Sequence, residues 1–203
     1  MNKRGNEQAE ALKNLEVENK GQSETLENME GMTIKLIGRW NKYDEKLDTW
    51  VAPFFMAPIN TKNVHRSNAL MNHFYGEDFC YNEMWVMGPG EEGEAAAKYI
   101  ATANPFSDAP KPGDGPSRES RENGNYDVLF CGDINDESVH VSVAGDMDPG
   151  YGSTSKMITE SAICLVKECE QLAGGIYTPA PSMGAKLIKR LQDNAGLTFK
   201  FEN

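Results

Sequence analysis

The stretch that most limits what this chain can fold into is Gly88-Pro89-Gly90-Glu91-Glu92-Gly93. It has the spacing GxGxxG, follows a strand-like run and opens the Ala-rich residues 94–103. In a doubly wound α/β fold, a turn of this kind offers backbone N–H groups and a helix N-terminus to a pyrophosphate. Here Pro89 has no N–H to offer, and Glu91, Glu92 and Glu94 place three negative charges where the phosphates would lie. The acid that would hold a ribose, about twenty residues further on, falls inside a loop near residues 108–114 and not at the end of a second strand. The stretch therefore reads as a strand-to-helix turn with glutamates well placed at a helix N-terminus. No cofactor-binding residue is assigned to it.

The remaining elements follow from punctuation and periodicity. Residues 50–60 read WVAPFFMAPIN. Pro53 and Pro58 argue against a helix and against a central strand, so the segment is expected to be extended and buried. Asn60 or Thr61 is expected to N-cap a helix to about His73, with Gly76 as the stop. Residues 78–87 are aromatic and β-favouring and read as a strand. Residues 94–103 read as a helix ended by Asn104-Pro105. Residues 106–125, dense in Gly, Pro and charge, read as a long loop. Two alternating runs, 126–132 and 138–145, predict a hairpin. After the tight turn at 148–152, Ser153 is expected to cap a helix to about Leu172. A short basic helix (182–194) and a closing strand (197–202) complete the chain. Phe54, Phe55, Trp85, Phe130 and Leu165 are the expected core. The order of elements predicts an α+β fold with a mixed or largely antiparallel sheet, helices packed on it and no complete Rossmann unit. Residues 1–30 read as a polar helical or disordered arm, and 31–203 as one α+β domain.

Charge narrows the partners. The net charge is −11. Residues 1–76 hold 10 acids and 10 bases, 77–160 hold 17 and 5, and 161–203 hold 4 and 5, so the excess sits in the middle. Such a surface repels phosphate backbones and anionic lipid, which argues against nucleic-acid binding. The N-terminal residues carry no apolar h-region, and the longest mostly apolar run, 50–59, is too short to span a bilayer. No transmembrane segment is expected, and a cytoplasmic location is, with a peripheral place on a membrane or lipid body as the alternative. Cys80 and Cys131 lie in strand-like runs and read as small core residues, whereas Cys164 and Cys169 are five apart and are not expected on one helix face. A disulfide framework and a metal site are both unexpected.

Two groups of side chains have ligand-binding chemistry. Asn60, Thr61, Arg66 and Ser67 sit at the start of a predicted helix, where a carboxylate or thioester oxygen could meet N–H groups and a bidentate guanidinium. Tyr151 and Ser153 follow the turn at 148–152 and could donate a hydrogen bond to a carbonyl. The glycine turn there could also hold an anion, in competition with Asp146 and Asp148. Each residue also has a plainer reading as a cap, a turn aromatic or an ion-pair partner. Lys186, Lys189 and Arg190 read as a solvated basic face. No catalytic residue is assigned.

Five stretches, in order and at similar spacing, carry a resemblance: PFFMAPINTKNVHRSNALM (53–71), YGEDFCYNEMW (75–85), PKPGDGPSRESRENGNYDVLF (110–130), VAGDMDPGYGSTSKMITESAICL (143–165) and GGIYTPAPSMGAKLIKRL (174–191). Together they resemble the C-terminal part of the saccharopine-dehydrogenase-like oxidoreductases, the family that includes bacterial trans-acting enoyl reductases. Lys62 and His65 stand where the family pattern has arginine, and Arg66 is kept. The resemblance implies a substrate-binding and dimerisation domain over 31–203, of the kind that follows an NAD(P)-binding Rossmann domain. It implies acyl or lipid-like substrates, and inactivity of this portion alone. NAD(P) is then expected only with a separate Rossmann domain, and the expected partners are that domain or further copies of the chain. The alternative is a non-catalytic binding or subunit-interaction module derived from such an enzyme.

Overall fold

The computed structural model describes residues 24–27, 33–36, 41–103, 114–134 and 137–202. Expectations for the rest of the arm 1–30 and for residues 104–113 lie outside these. The chain divides into two compact units, Met1–Ala109 and Pro110–Asn203, where the sequence reading carries 31–203 as one domain. The fold class is α+β. Every strand pair is antiparallel, in one two-stranded and two three-stranded sheets, and no Rossmann unit occurs among the described residues.

In the first unit, strand β1 (Glu24–Glu27) pairs with β2 (Thr33–Leu36). Residues 24–27 are thus extended, not helical. A second sheet has the order β3 (Lys42–Asp44), β4 (Thr49–Pro53), β5 (Met84–Gly88). The β3–β4 turn is tight because the Asp44 carboxylate accepts from the amides of Lys46 and Leu47. Helix α1 (Ala57–Leu70) follows β4, and α2 (Gly90–Thr102) follows β5 and packs on both β4 and β5.

The two prolines act differently from the sequence expectation. β4 is the central strand, yet Pro53 is its last residue, so the missing N–H falls at the strand end. Pro58 sits in the first turn of α1, where a helix has N–H groups without intrahelical partners. The helix therefore starts at Ala57, and Asn60 and Thr61 lie inside it instead of capping it. Met56 occupies the cap position without a side-chain hydrogen bond, and the helix ends at Leu70, short of His73. Residues 78–83 are irregular, so the strand expected over 78–87 is reduced to β5. Helix α2 begins four residues earlier than expected, directly on the glycine turn.

In the second unit, a short helix α3 (Arg118–Asn123) interrupts what reads as a continuous loop, capped by Ser117 Oγ accepting from the Ser120 amide. Strands β6 (Tyr126–Ile134) and β7 (Glu137–Gly145) form the expected hairpin, and β8 (Leu197–Glu202) pairs on the other side of β7. Helices α4 (Gly152–Glu168) and α5 (Pro179–Asn194) pack against each other. α5 starts three residues before the expected 182 and is broken at Gly184 (φ 49°, ψ −131°).

The core is built from smaller residues than expected. Ala52, Ala97, Cys164 and Ala195 are fully buried, and Val51, Met183, Leu191 and Leu197 nearly so. Of the expected core, Phe54 is half-buried, while Phe55, Trp85, Phe130 and Leu165 are exposed. Cys80 and Cys131 are exposed as well. Cys164 and Cys169 converge in one buried cluster with Met183, contrary to the expectation from their spacing. The physical reason is that Cys169 is the C-cap of α4 (φ −117°), so the chain has already left the helical path that the spacing argument assumes.

Candidate functional site

Each unit carries its own group of candidate residues, and the two groups are built differently. On α1, Asn60 Nδ2 donates to Glu83 Oε2 at 2.9 Å, and Tyr81 OH donates to Glu83 Oε1 at 2.5 Å. Burial, and then the Glu83 carboxylate that accepts its proton, hold the Tyr81 phenol far above its ordinary range. Thr61 and Ser67 are buried, and Ser67 Oγ donates back to the Asn63 carbonyl at 2.8 Å. Arg66 is exposed on the opposite side of the helix. The helix N-terminus itself is taken up by Pro58 and Met56, so Asn60 and Thr61 do not present the open N–H groups on which the carboxylate reading relied.

Two residues of α1 that the sequence reading gave no role organise this region. Asn68 is 1 % exposed; its Nδ2 donates to Gly76 O and its Oδ1 accepts from Tyr75 N, both at 2.8 Å. It clamps the chain as it leaves the helix through Asn72 and His73, both with positive φ. His65 is 2 % exposed, its ring lies 5.6 Å from that of Phe79 at a tilt of 58°, and its Nδ1 has no hydrogen-bond partner. Burial lowers its affinity for a proton. Burial of this histidine could not be read from its spacing, because it depends on the 77–83 segment folding over α1.

In the second unit, the turn before α4 is closed by its own side chain. Asp148 Oδ1 accepts from Gly150 N and Tyr151 N at 3.0 and 3.1 Å, and Oδ2 accepts from Gly152 N at 2.5 Å. The Gly152 N–H bond, with those of Tyr151 and Gly150, draws the Asp148 carboxyl below its ordinary range against a smaller opposing effect of desolvation; Arg121 adds to the lowering. The amides that could have held an anion are therefore already occupied by Asp148. Ser153 does not cap α4. It is fully buried inside the first turn, with its Oγ 2.8 Å from Tyr126 OH. Tyr151 takes the cap position and is half exposed. Tyr126 was not singled out from the sequence, whereas Asp148 was named there as a competitor of any anion at this turn.

The glycine turn at 88–93 joins β5 to α2. Gly88 and Gly90 have φ of 94° and 68°, Pro89 is the N-cap, and Glu91 and Glu92 lie in the first turn of α2. A dinucleotide pyrophosphate does not fit here, because its place is taken by two carboxylates and a proline. Among the described residues no group of three or more His, Cys, Asp and Glu side chains is arranged to hold a metal ion. None of their helices is long and apolar enough to cross a membrane.

Of the six candidate ligand residues, Asn60, Thr61, Arg66 and Ser67 belong to the first unit and Tyr151 and Ser153 to the second. Arg66 and Tyr151 are the exposed ones. Of the basic residues of α5, Lys186 and Lys189 are exposed, as expected, whereas Arg190 is half-buried. Arg190 bridges Glu160 at 2.6 Å and Glu168 at 2.7 Å, Lys186 Nζ donates to Glu168 O, and Lys189 pairs with Asp193. They line an open recess of about 360 Å³ with Glu168 and Asp193.

The chain is 34% identical over 168 residues to a Mycobacterium tuberculosis protein named as a trans-acting enoyl reductase, covering 72% of this chain and 40% of that protein. It is 31% identical over 163 residues to the trans-acting enoyl reductase of Mycobacterium bovis, and 30% identical over 162 to that of Mycobacterium ulcerans, covering 70% of this chain and 39% of each. No family model matches the chain, and no solved structure matches it. The chain spans about 40% of the length of the curated relatives it matches, and over that span it is similar to trans-acting enoyl reductases.

Proposed function

We propose that this chain is the substrate-side portion of an NAD(P)-dependent, saccharopine-dehydrogenase-like enoyl reductase, working with a separate nucleotide-binding Rossmann domain on an acyl or lipid-like substrate. The observation that carries the reading is the similarity to trans-acting enoyl reductases over 72% of the chain. The glycine turn, closed to a pyrophosphate by Pro89, Glu91 and Glu92, supports placing the nucleotide on another domain. In this reading the exposed Arg66 of the first unit suits a carboxylate or thioester oxygen, and the exposed Tyr151 of the second unit suits a carbonyl. Asn60, Thr61, Ser67 and Ser153 then hold the helices that present them.

A surface of the second unit supports the need for a partner. Registered rows across β6, β7 and β8 put Val128, Val143 and Phe199 on one face, and Phe130, Val141 and Phe201 beside them. Val143 and Phe199 pack on the cluster of Leu191, Ala195 and Leu197, beneath α5. Further along the same face, Val128, Phe130, Val139 and Phe201 are exposed. Contiguous apolar surface of this kind marks an interaction site on a folded chain.

The test is co-expression with a Rossmann domain of the same enzyme class, followed by NADPH oxidation with an enoyl thioester. Turnover that needs both chains, and that falls with Tyr151→Phe or Arg66→Ala, supports the reading. A tight complex without turnover favours the non-catalytic module instead, and neither complex nor turnover overturns both.

A further inference from the structure

We propose that Cys164 and Cys169 form a reversible intrachain disulfide, with a small-molecule disulfide such as oxidised glutathione as the oxidant, and that closing it loosens the junction between α4 and the first turns of α5. The proposal is independent of the enoyl-reductase reading, which gives neither residue a role.

The argument starts from where the two thiols lie. Five positions along a regular helix point about 140° apart, too far round for the two side chains to meet. Cys164 and Cys169 nevertheless share one buried cluster with Met183, and Leu172 and Leu187 pack on it. α4 ends at Glu168, and Cys169, with φ −117° and ψ 32°, leaves the helical path and returns its sulfur to the Cys164 side. Desolvation first, and then Cys169 as a neighbouring charge and hydrogen-bond partner, hold the Cys164 thiol above its ordinary range.

A buried cysteine is ordinarily a small core residue. Contact between two thiols, together with their unequal access, adds an exchange chemistry. Cys164 is fully buried, whereas Cys169 is 9 % exposed. Exchange proceeds by attack of a thiolate on a disulfide sulfur. Cys169, deprotonated, attacks oxidised glutathione; one glutathione leaves as a thiolate and takes up a proton, and a mixed disulfide remains on Cys169. Cys164 then loses its proton, attacks the Cys169 sulfur and displaces the second glutathione. The pair gives up two protons and two electrons, and oxidised glutathione becomes two molecules of glutathione. Burial of Cys164 makes the second step the slow one, and contact between the thiols makes it possible. Where thiols are mostly kept reduced, disulfides of this kind are transient and redox-sensing.

The consequence for α5 follows from what Cys169 holds when reduced. Its Sγ donates to the Ser182 carbonyl at 3.5 Å. Ser182 lies in the part of α5 that precedes the break at Gly184. A disulfide sulfur has no proton to donate, so oxidation removes this link. It also draws the two sulfurs to about 2 Å, closer than any pair of thiols, and so moves the end of α4. Beyond Gly184, Lys186 Nζ donates to Glu168 O and Arg190 bridges Glu168, and neither contact needs a thiol. The loosening therefore falls on residues 179–184.

The test equilibrates the full chain in glutathione buffers of graded oxidation, traps the thiols by acid and alkylation, and maps the peptides by mass. Of the four free thiols, Cys164 and Cys169 are expected to disappear together into one intrachain disulfide, and excess reduced glutathione restores both. Cys164→Ala is expected to stop the reaction at a mixed disulfide on Cys169. Because that change also touches the core, the native chain supplies a second readout: amide exchange over 179–184 rises about threefold or more on oxidation, while that of β6 to β8 stays the same. Cys164 and Cys169 staying reduced after Cys80 and Cys131 have reacted overturns the proposal. So do stable glutathione adducts on both, or a disulfide that leaves exchange over 179–184 unchanged.

Discussion

Two strand-to-helix turns in this protein start from similar sequence material and end in opposite electrostatic arrangements. The first, Gly88–Gly93, delivers β5 into α2 with Pro89 at the cap, no side-chain cap bond, and Glu91 and Glu92 in the first turn. The second, residues 146–153, delivers β7 into α4 with a single carboxylate, Asp148, holding three successive amides. Both satisfy a helix N-terminus with negative charge. The first does so loosely, by position, and the second by direct hydrogen bonds. The comparison shows that a glycine-rich turn before a helix is not by itself an anion site, since the protein can supply the anion from its own chain.

Backbone crowding is the sharpest way to break either turn, and it should give the largest effects. A Cβ on Gly124 would stand 2.6 Å from the backbone N and Cα of Asp148, and a Cβ on Gly93 would run into the Gly88 carbonyl. Neither obstacle is a flexible side-chain end. Gly124→Ala and Gly93→Ala should each destabilise by about 3 kcal/mol, measured by denaturant unfolding. A change well below 1 kcal/mol at either site would mean that the turn yields more easily than its contacts imply.

Asp148→Ala should come next, because it strands three amides at once. The Asp148 carboxyl titrates below its ordinary value, so its stabilising contribution is complete above about pH 4 and is lost as pH falls through the lowered value. The melting-temperature gap between the native chain and Asp148→Ala should thus be constant near neutrality and close only in acid. A gap that closes between pH 5 and 7 would show that another group is responsible. Tyr126→Phe leaves the buried Ser153 hydroxyl without its phenolic partner and should cost about 1–2 kcal/mol.

His65 gives a pH signature to the unit that holds the loose turn. Its proton affinity is lowered by burial, so its contribution is complete above its unfolded value of about 6.5 and is lost as pH falls below that. His65→Asn, if folded, should flatten the pH dependence of unfolding between about pH 6.5 and 5. The smallest effect belongs to the first turn's carboxylates. Glu91→Gln with Glu92→Gln should barely move the melt and should still leave NADPH without micromolar binding by calorimetry, because Pro89 continues to withhold an N–H. Micromolar binding to the native chain would sink that account of the turn.

Much of this protein was legible in its residues, and for identifiable reasons. Val139, Val141 and Val143 alternate with His140 and Ser142, and alternation on a half-covered sheet fixes both the hairpin and its register. Pro89, Glu91 and Glu92 were readable as a helix start with acids in its first turn. The candidate ligand residues were less legible, because a residue four positions into a helix and one at its cap differ only in where the helix starts. Pro58 moved that start to Ala57, and Asp148 took the role that Ser153 had seemed fit for.

By itself the sequence determined the fold class, the hairpin and the closing strand, since each rests on local sterics or periodicity. Tertiary structure alone decided what is buried. Phe55, Trp85, Phe130 and Leu165 are apolar enough for any core, yet they are exposed, while Ala52, Ala97, Cys164, Ala195 and the polar Asn68, His65 and Ser153 fill the interior. Hydrophobicity states how much a side chain gains from leaving water, but not whether a neighbouring element comes close enough to cover it. In this chain the elements approach where side chains are small, and the large apolar ones are left at the surface.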